Sequence, residues 1–236
     1  GGIGKELCKK FKETGWIVVG TCNYSAKNEH VDFFIHQDLT KTDAATHIIR
    51  QIREKYNQLD CIVHNAAIQI CKPIYEYEEE DWNKTYQCNV FIVHQLVRDG
   101  LDLVKKSKGT IVTIGSIHSI CSSENIGCYA SSKAALVALT RNLSLDLGKY
   151  GIRVNSISPG AVDTPMLRDG LLRDSTEKCM DKLMEKISQK HILKKVGQPE
   201  EIANLVEFIA NNENGHFING TNLIIDGGVT SKLSTE

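Results

Sequence analysis

Residues 109–116 read GTIVTIGS, an apolar run rich in Val and Ile that lacks polar alternation and stops at a Gly-Ser pair. A strand of that kind is buried on both faces, which places it in a parallel sheet covered by helices. The same signature recurs on either side. Upstream lie WIVVGTC (16–22), VDFFIH (31–36) and LDCIVHN (59–65), and downstream lie IRVNSIS (152–158) and TNLIIDGG (221–228). Helical spacing fills the intervals. Ala45, Ile48, Ile49 and Ile52 mark a helix within 42–56, and longer helices are expected over 79–106 and 127–147. Pro199 opens a further helix with Glu200 and Glu201 in its first turn, where carboxylates suit the dipole. The alternation runs end to end without linker or repeat. Residues 1–236 are therefore expected to form one domain of the α/β class, a Rossmann-type doubly wound parallel sheet. Such sheets bind ligands just past the carboxyl ends of their strands, so functional residues are sought there.

Bulk properties exclude other classes. Of 236 residues, 41% are hydrophobic and 24% charged, with a net charge of −1. That balance supplies no basic stripe for a nucleic acid. No apolar run approaches the roughly 20 residues that cross a bilayer. Neither nucleic acid nor membrane is expected as a partner. The eight cysteines include no C-x-x-C pair, so no metal site is expected, and they read as reduced packing residues of a cytoplasmic protein.

The chain opens GGIGKEL, directly before a helical pattern at Leu7 and Phe11. Gly2, Ile3 and Gly4 give the G-x-G spacing of a turn that feeds a helix N-terminus, where main-chain N–H groups hold a pyrophosphate. That fingerprint follows a strand, and none precedes it here. The first strand is expected to be missing, and since it would be central, its loss should leave a large apolar slot. Tyr129 and Lys133 stand in YASSK, at i and i+4 on one helix face. An ammonium beside a phenol lowers its pKa and makes it a usable acid or base. With 28 basic residues among 236, chance alone supplies about one such pair for seven tyrosines. The company of the pair decides its meaning. Ser116 ends the 109–116 strand, thirteen residues before Tyr129, where its hydroxyl can meet a carbonyl oxygen. Asn89 interrupts an apolar helical stretch, TYQCNVF, and an asparagine there marks either a functional irregularity or a solvated face of the helix.

In this order, G-x-G, Asp38-Leu39, HNAA at 64–67, Asn89, Ser116, Tyr129-x-x-x-Lys133 and SPGAVDTPM at 158–166 resemble the single-domain short-chain dehydrogenase/reductase family. The likeness runs from Gly1 to about Gly228 and includes GQPEEIA (197–203) and NGTNLIIDGG (219–228). It implies an NAD(P)-dependent oxidoreductase moving hydride between nicotinamide and a carbonyl or secondary alcohol. Tyr129 would be the general acid/base, Lys133 would lower its pKa and hold the nicotinamide ribose, and Ser116 would fix the substrate oxygen. Asn89 would hold a water that links Lys133 to solvent. Asp38 and Leu39 would flank the adenine, and Asn65, Ala66 and Ala67 would line the cofactor cleft. Pro159, Gly160, Val162 and Thr164 would border the nicotinamide. The family usually carries N-N-A-G where this chain has His64-Asn65-Ala66-Ala67; His64 reads as packed structure, and Ala67 adds a methyl where glycine allows close approach.

Cofactor choice falls at the end of the second strand, where a carboxylate selects NAD and a cation NADP. Gly20, Thr21, Cys22, Asn23, Tyr24 and Ser25 offer neither, and Lys27 is the nearby cation. NADP is favoured over NAD. The stretch Asn23 to His30 is too short for a full crossover helix. Substrate is expected between His118–Cys128 and Thr164–Ile192, the latter a charged helical lid; Ser116, His118 and Tyr129 are the expected contacts, with Cys121 close by. The likeness also implies a homodimer or homotetramer. Two alternatives are set against this reading. Epimerase or dehydratase relatives add a C-terminal domain, whereas only VTSKLSTE follows Gly228. A non-catalytic cofactor-binding regulator or scaffold tends to lose the Tyr or the Lys, and both are intact.

Overall fold

Thr110–Ile114 forms β4, and all five of its residues are buried. The computed structural model describes residues 1–23, 28–173 and 175–232. Around β4 run Cys61–His64 (β3), Arg153–Pro159 (β5) and Asn222–Ile225 (β6), in the order β3-β4-β5-β6, every pair parallel. A second parallel pair joins Val19–Cys22 (β1) to Phe33–His36 (β2). Strand alternation then builds two cores. Ile111 and Val154 face a cluster with Ala44, Val93 and Leu136, from helices α2 (Ala44–Lys55), α4 (Ile92–Ser107) and α5 (Gly127–Gly148). Val112 and Ile157 face Leu7, Phe11, Ile202 and Val206, from α1 (Gly2–Glu13) and α8 (Pro199–Ala210). Helices on both faces of a parallel sheet make the fold a doubly wound α/β one, as the sequence predicts.

Differences from the sequence reading lie at ends and interruptions. β1 begins at Val19 rather than Trp16; Trp16 instead stacks at 5.2 Å on Phe11 of α1. Tyr24, Ser25 and Lys27, which bear on cofactor choice and on the short crossover, lie outside the described residues. The helix expected over 79–106 divides into α3 (Glu79–Tyr86), a π-turn (Gln87–Phe91) and α4. The lid region holds two helices, α6 (Pro165–Arg173) and α7 (Met180–Ser188). Glu201 accepts the N–H of Gln198 at 2.8 Å and closes a capping box at the start of α8.

Among the described residues no ladder joins β1 to β3. Both strands line one cavity of about 1430 Å³, whose walls between the two sheets are apolar, with Leu7, Phe11, Ile48, Leu59 and Val63. The same cavity continues to the carboxyl ends of β3, β4 and β5, where the functional residues gather.

Candidate active site

β4 ends at Ile114, and Ser116 follows in extended backbone as the cap of a short 3₁₀ turn. Its Oγ accepts the His118 N–H at 3.1 Å, which leaves its own proton free to donate. Tyr129 stands on the first turn of α5 and lines the same cavity as Ser116. The His118 ring stands edge-on to the Tyr129 ring, with centroids 6.2 Å apart. One turn later, Lys133 is 2% exposed. Its Nζ donates to the Ile114 carbonyl at 2.7 Å and lies 5.6 Å from the Tyr129 ring centre. The i, i+4 spacing thus brings both groups to the carboxyl end of β4.

The charge states differ from the sequence reading at Tyr129. Burial raises its pKa, and the Ser116 hydroxyl opposes that only in part. Lys133, brought down by its own burial, adds no lowering to the phenol. Burial brings Lys133 down to about 8, and it is still mostly charged at neutral pH.

Asn89 sits in the π-turn and is completely buried. Its Oδ1 accepts the Ile68 N–H at 2.8 Å, while Nδ2 donates to the Ile68 carbonyl at 3.0 Å and to Ser132 Oγ at 2.9 Å. The side chain is therefore a fixed brace between the segment after β3 and α5, and Asn89 alone of the expected site residues does not line the cavity. Sequence reasoning missed its partners. Ser132 closes the brace by donating to the Tyr129 carbonyl at 2.7 Å, and the signal for it was the second serine of YASSK.

On the cofactor side, Gly2 and Gly4 form the N-terminus of α1. A Cβ on Gly2 would stand 2.8 Å from Thr164 Cγ2, and one on Gly4 would stand 2.9 Å from Asn65 Nδ2. These approaches bring G-x-G, Asn65 and Thr164 into one wall, a cradle that fits a dinucleotide pyrophosphate at a helix N-terminus. Ile3, Leu39, Ala66, Ala67, Pro159 and Val162 line the same cavity. Gly160 also lines it, held where a Cβ would meet Asp226 Cα at 2.8 Å. Asp38 lies there too, but its Oδ1 accepts the Thr40 N–H and hydroxyl at 2.9 and 2.8 Å, contacts that hold the carboxyl below its usual range. Asp226 was also missed; it accepts from Gly228 and Thr230 and shapes the turn after β6.

Residues 1–230 match the family described as enoyl-(acyl carrier protein) reductase. An uncharacterized oxidoreductase of Thermotoga maritima is 31% identical over 248 residues, covering 100% of this chain and 94% of the relative. The chain belongs to the short-chain dehydrogenase/reductase family. As a short-chain dehydrogenase/reductase it is an NAD(P)-dependent oxidoreductase acting on a small molecule. Solved structures agree in fold. Ligand-free aldohexose dehydrogenase of Thermoplasma acidophilum superposes with a TM-score of 0.91 at 25% identity, covering 99% of this chain and 91% of the other. ElxO with NADP bound gives a TM-score of 0.84 at 28% identity, covering 98% and 95%. No helix among the described residues is long and apolar enough to cross a membrane.

Proposed function

We propose that this short-chain dehydrogenase/reductase transfers hydride between a nicotinamide and a carbonyl or secondary alcohol, with Tyr129 as general acid/base. The observation that carries the reading is the gathering of Ser116, Tyr129 and Lys133 on the wall of the cavity that the glycine cradle also lines. A nicotinamide cofactor supplies or accepts the hydride; the chain supplies the proton and the geometry. Ser116 accepts from His118 N–H and donates outward, so it fixes a substrate oxygen beside the phenol. Tyr129, kept protonated by burial, gives its proton to that oxygen in the reduction direction. Lys133 stabilises the phenolate left behind and, with its charge turned from Ile114, holds the cofactor ribose. His118 borders the substrate, and Met166, Leu167 and Leu171 of α6 line the cavity beside it.

For the cofactor we favour NADP over NAD. β1 ends Gly20-Thr21-Cys22 and is followed by Asn23, all on the cavity wall and without a carboxylate to repel a 2′-phosphate. The protein is read as a single-domain, cytoplasmic homodimer or homotetramer. Titration of NADPH and NADH fluorescence tests the cofactor assignment. Tighter binding of NADPH is expected, and a strong preference for NADH would refute it.

A further inference from the structure

On the lid side of the cavity stands an imidazole that the proposed reaction does not use. From α6 to the segment after α7, Met166, Leu167, Leu171 and Ile187 give the cavity an apolar wall; the polar side chains there are Lys190, which is exposed, and His191. His191 is 3% exposed. Its Nδ1 lies 3.0 Å from the Ile187 carbonyl at the end of α7. A carbonyl only accepts, so Nδ1 carries the proton and Nε2 of the neutral ring is a bare lone pair. That nitrogen is buried and, among the described residues, has no partner.

Capping of the Ile187 carbonyl explains Nδ1 and leaves Nε2 unexplained. A buried acceptor without a donor is costly and rare in a native fold. The ring is also held in place. A Cβ on Gly227, whose φ is +59°, would stand 3.4 Å from His191 Cδ2, so the turn after β6 backs the ring on that side. The Leu193 N–H donates to the Gly227 carbonyl at 3.2 Å and pins the segment after His191 to the same turn. With Nδ1 on Ile187 and Cδ2 toward Gly227, the edge of the ring left for the cavity is the one that carries Nε2.

We propose that His191 is a specificity-determining residue: its Nε2 accepts a hydrogen bond from a hydroxyl of the substrate other than the one that reacts. The substrate class is then a hydroxyketone in the reduction direction and the matching diol in the other. Hydride and proton go to the carbonyl, and the hydroxyl on His191 is neither oxidised nor reduced. The identity of the reacting group rests on the reaction proposed above, whereas the contact with His191 does not.

A lone pair discriminates by what it refuses. An ether, a second ketone or a carboxylate has no proton to give and would meet Nε2 lone pair to lone pair, and a plain hydrocarbon would leave it unpaired. The apolar wall of Met166, Leu167, Leu171 and Ile187 suits a carbon skeleton, so the group this wall can tell from hydrogen is a hydroxyl. Asp226, in the turn that backs the ring, does not compete for that donor. Its carboxylate already accepts the Gly228 and Thr230 N–H groups at 2.8 and 2.9 Å and the Thr230 hydroxyl at 2.6 Å.

The test compares cyclohexanone with the hydroxycyclohexanones as substrates of the wild type, His191→Phe and His191→Gln, with NADPH. The wild type is expected to favour at least one hydroxyketone by about tenfold in kcat/KM, the worth of one buried hydrogen bond. That ratio is expected to fall about tenfold in His191→Phe and to recover in His191→Gln, whose amide oxygen accepts. A residue that merely packs would lower both values alike, so an unchanged ratio in folded His191→Phe overturns the proposal. So does a wild type that turns over cyclohexanone as well as every hydroxyketone. If His191→Phe does not fold, the wild-type imidazole ¹⁵N spectrum decides, recorded with NADP, which cannot reduce the ketone. An Nδ1–H tautomer whose Nε2 resonance shifts with a hydroxyketone and not with cyclohexanone supports the contact. An Nε2–H tautomer, or a resonance blind to every hydroxyketone, overturns it. A shift already complete with NADP alone assigns the donor to the cofactor amide and overturns it too. The spectra need no turnover, so a failed reaction assignment would show separately, as absent hydride transfer with the Nε2 response intact.

Discussion

Replacing Asn89 by leucine preserves most of the side-chain volume and removes the brace that ties the π-turn to its surroundings. Three hydrogen bonds disappear at a side chain that is 0% exposed, so water cannot replace them. The Ile68 N–H and C=O are both orphaned, each at a cost of about 1–3 kcal/mol. Ser132 suffers less, because its hydroxyl keeps its bond to the Tyr129 carbonyl at 2.7 Å. The expected loss is therefore about 2–5 kcal/mol, or a fall of about 5–15 °C in melting temperature for a chain of this size. Total stability of a native domain is about 5–15 kcal/mol, so the variant should fold but weakly. Urea unfolding followed by circular dichroism measures the difference directly. A loss under about 0.5 kcal/mol, the range of an unremarkable surface substitution, would refute the assignment of Asn89 as the brace.

Other consequences can be checked in the same way. Gly160→Ala would set a Cβ 2.8 Å from the Asp226 main chain, which cannot yield as a side chain would; a loss of about 1–3 kcal/mol is expected by chemical denaturation. His64 sets an acid limb of stability. Its folded pKa of about 3 lies below the ordinary 6.5, so the unfolded chain binds the proton more tightly, and stability is lost as pH falls from 6.5 toward 3. The His64 contribution has an upper bound of about 5 kcal/mol, and urea midpoints for His64→Asn should fall less over that window than those of the wild type.

Much of this was legible in the sequence because the burial of a parallel sheet writes itself into composition. The Val- and Ile-rich run at 110–114 has nowhere to lie but a two-faced interior, and strands at 61–64, 153–159 and 222–225 follow from the same pattern. The Tyr129–Lys133 spacing fixes a shared helix face, and Ser116 falls past its strand end as expected. An asparagine in an apolar helix signalled an irregularity at Asn89, but not its form. A π-turn arises from what the helix packs on, here the Ile68 backbone and Ser132, and those contacts are long-range. The same holds for Tyr129. Adjacency along α5 predicts a lowered pKa, whereas burial of the phenol among residues distant in sequence raises it.

The central claim concerns the phenol of Tyr129, and one paired measurement tests it most directly. Nicotinamide absorbance is followed for wild type and Tyr129→Phe over a panel of ketones and secondary alcohols, with cofactor binding measured in parallel by fluorescence. The account predicts turnover by the wild type on at least one member of the panel. It predicts loss of that turnover in Tyr129→Phe, with cofactor affinity nearly unchanged. Retained turnover in the variant, or a wild type that binds cofactor and turns over nothing on the panel, would contradict it.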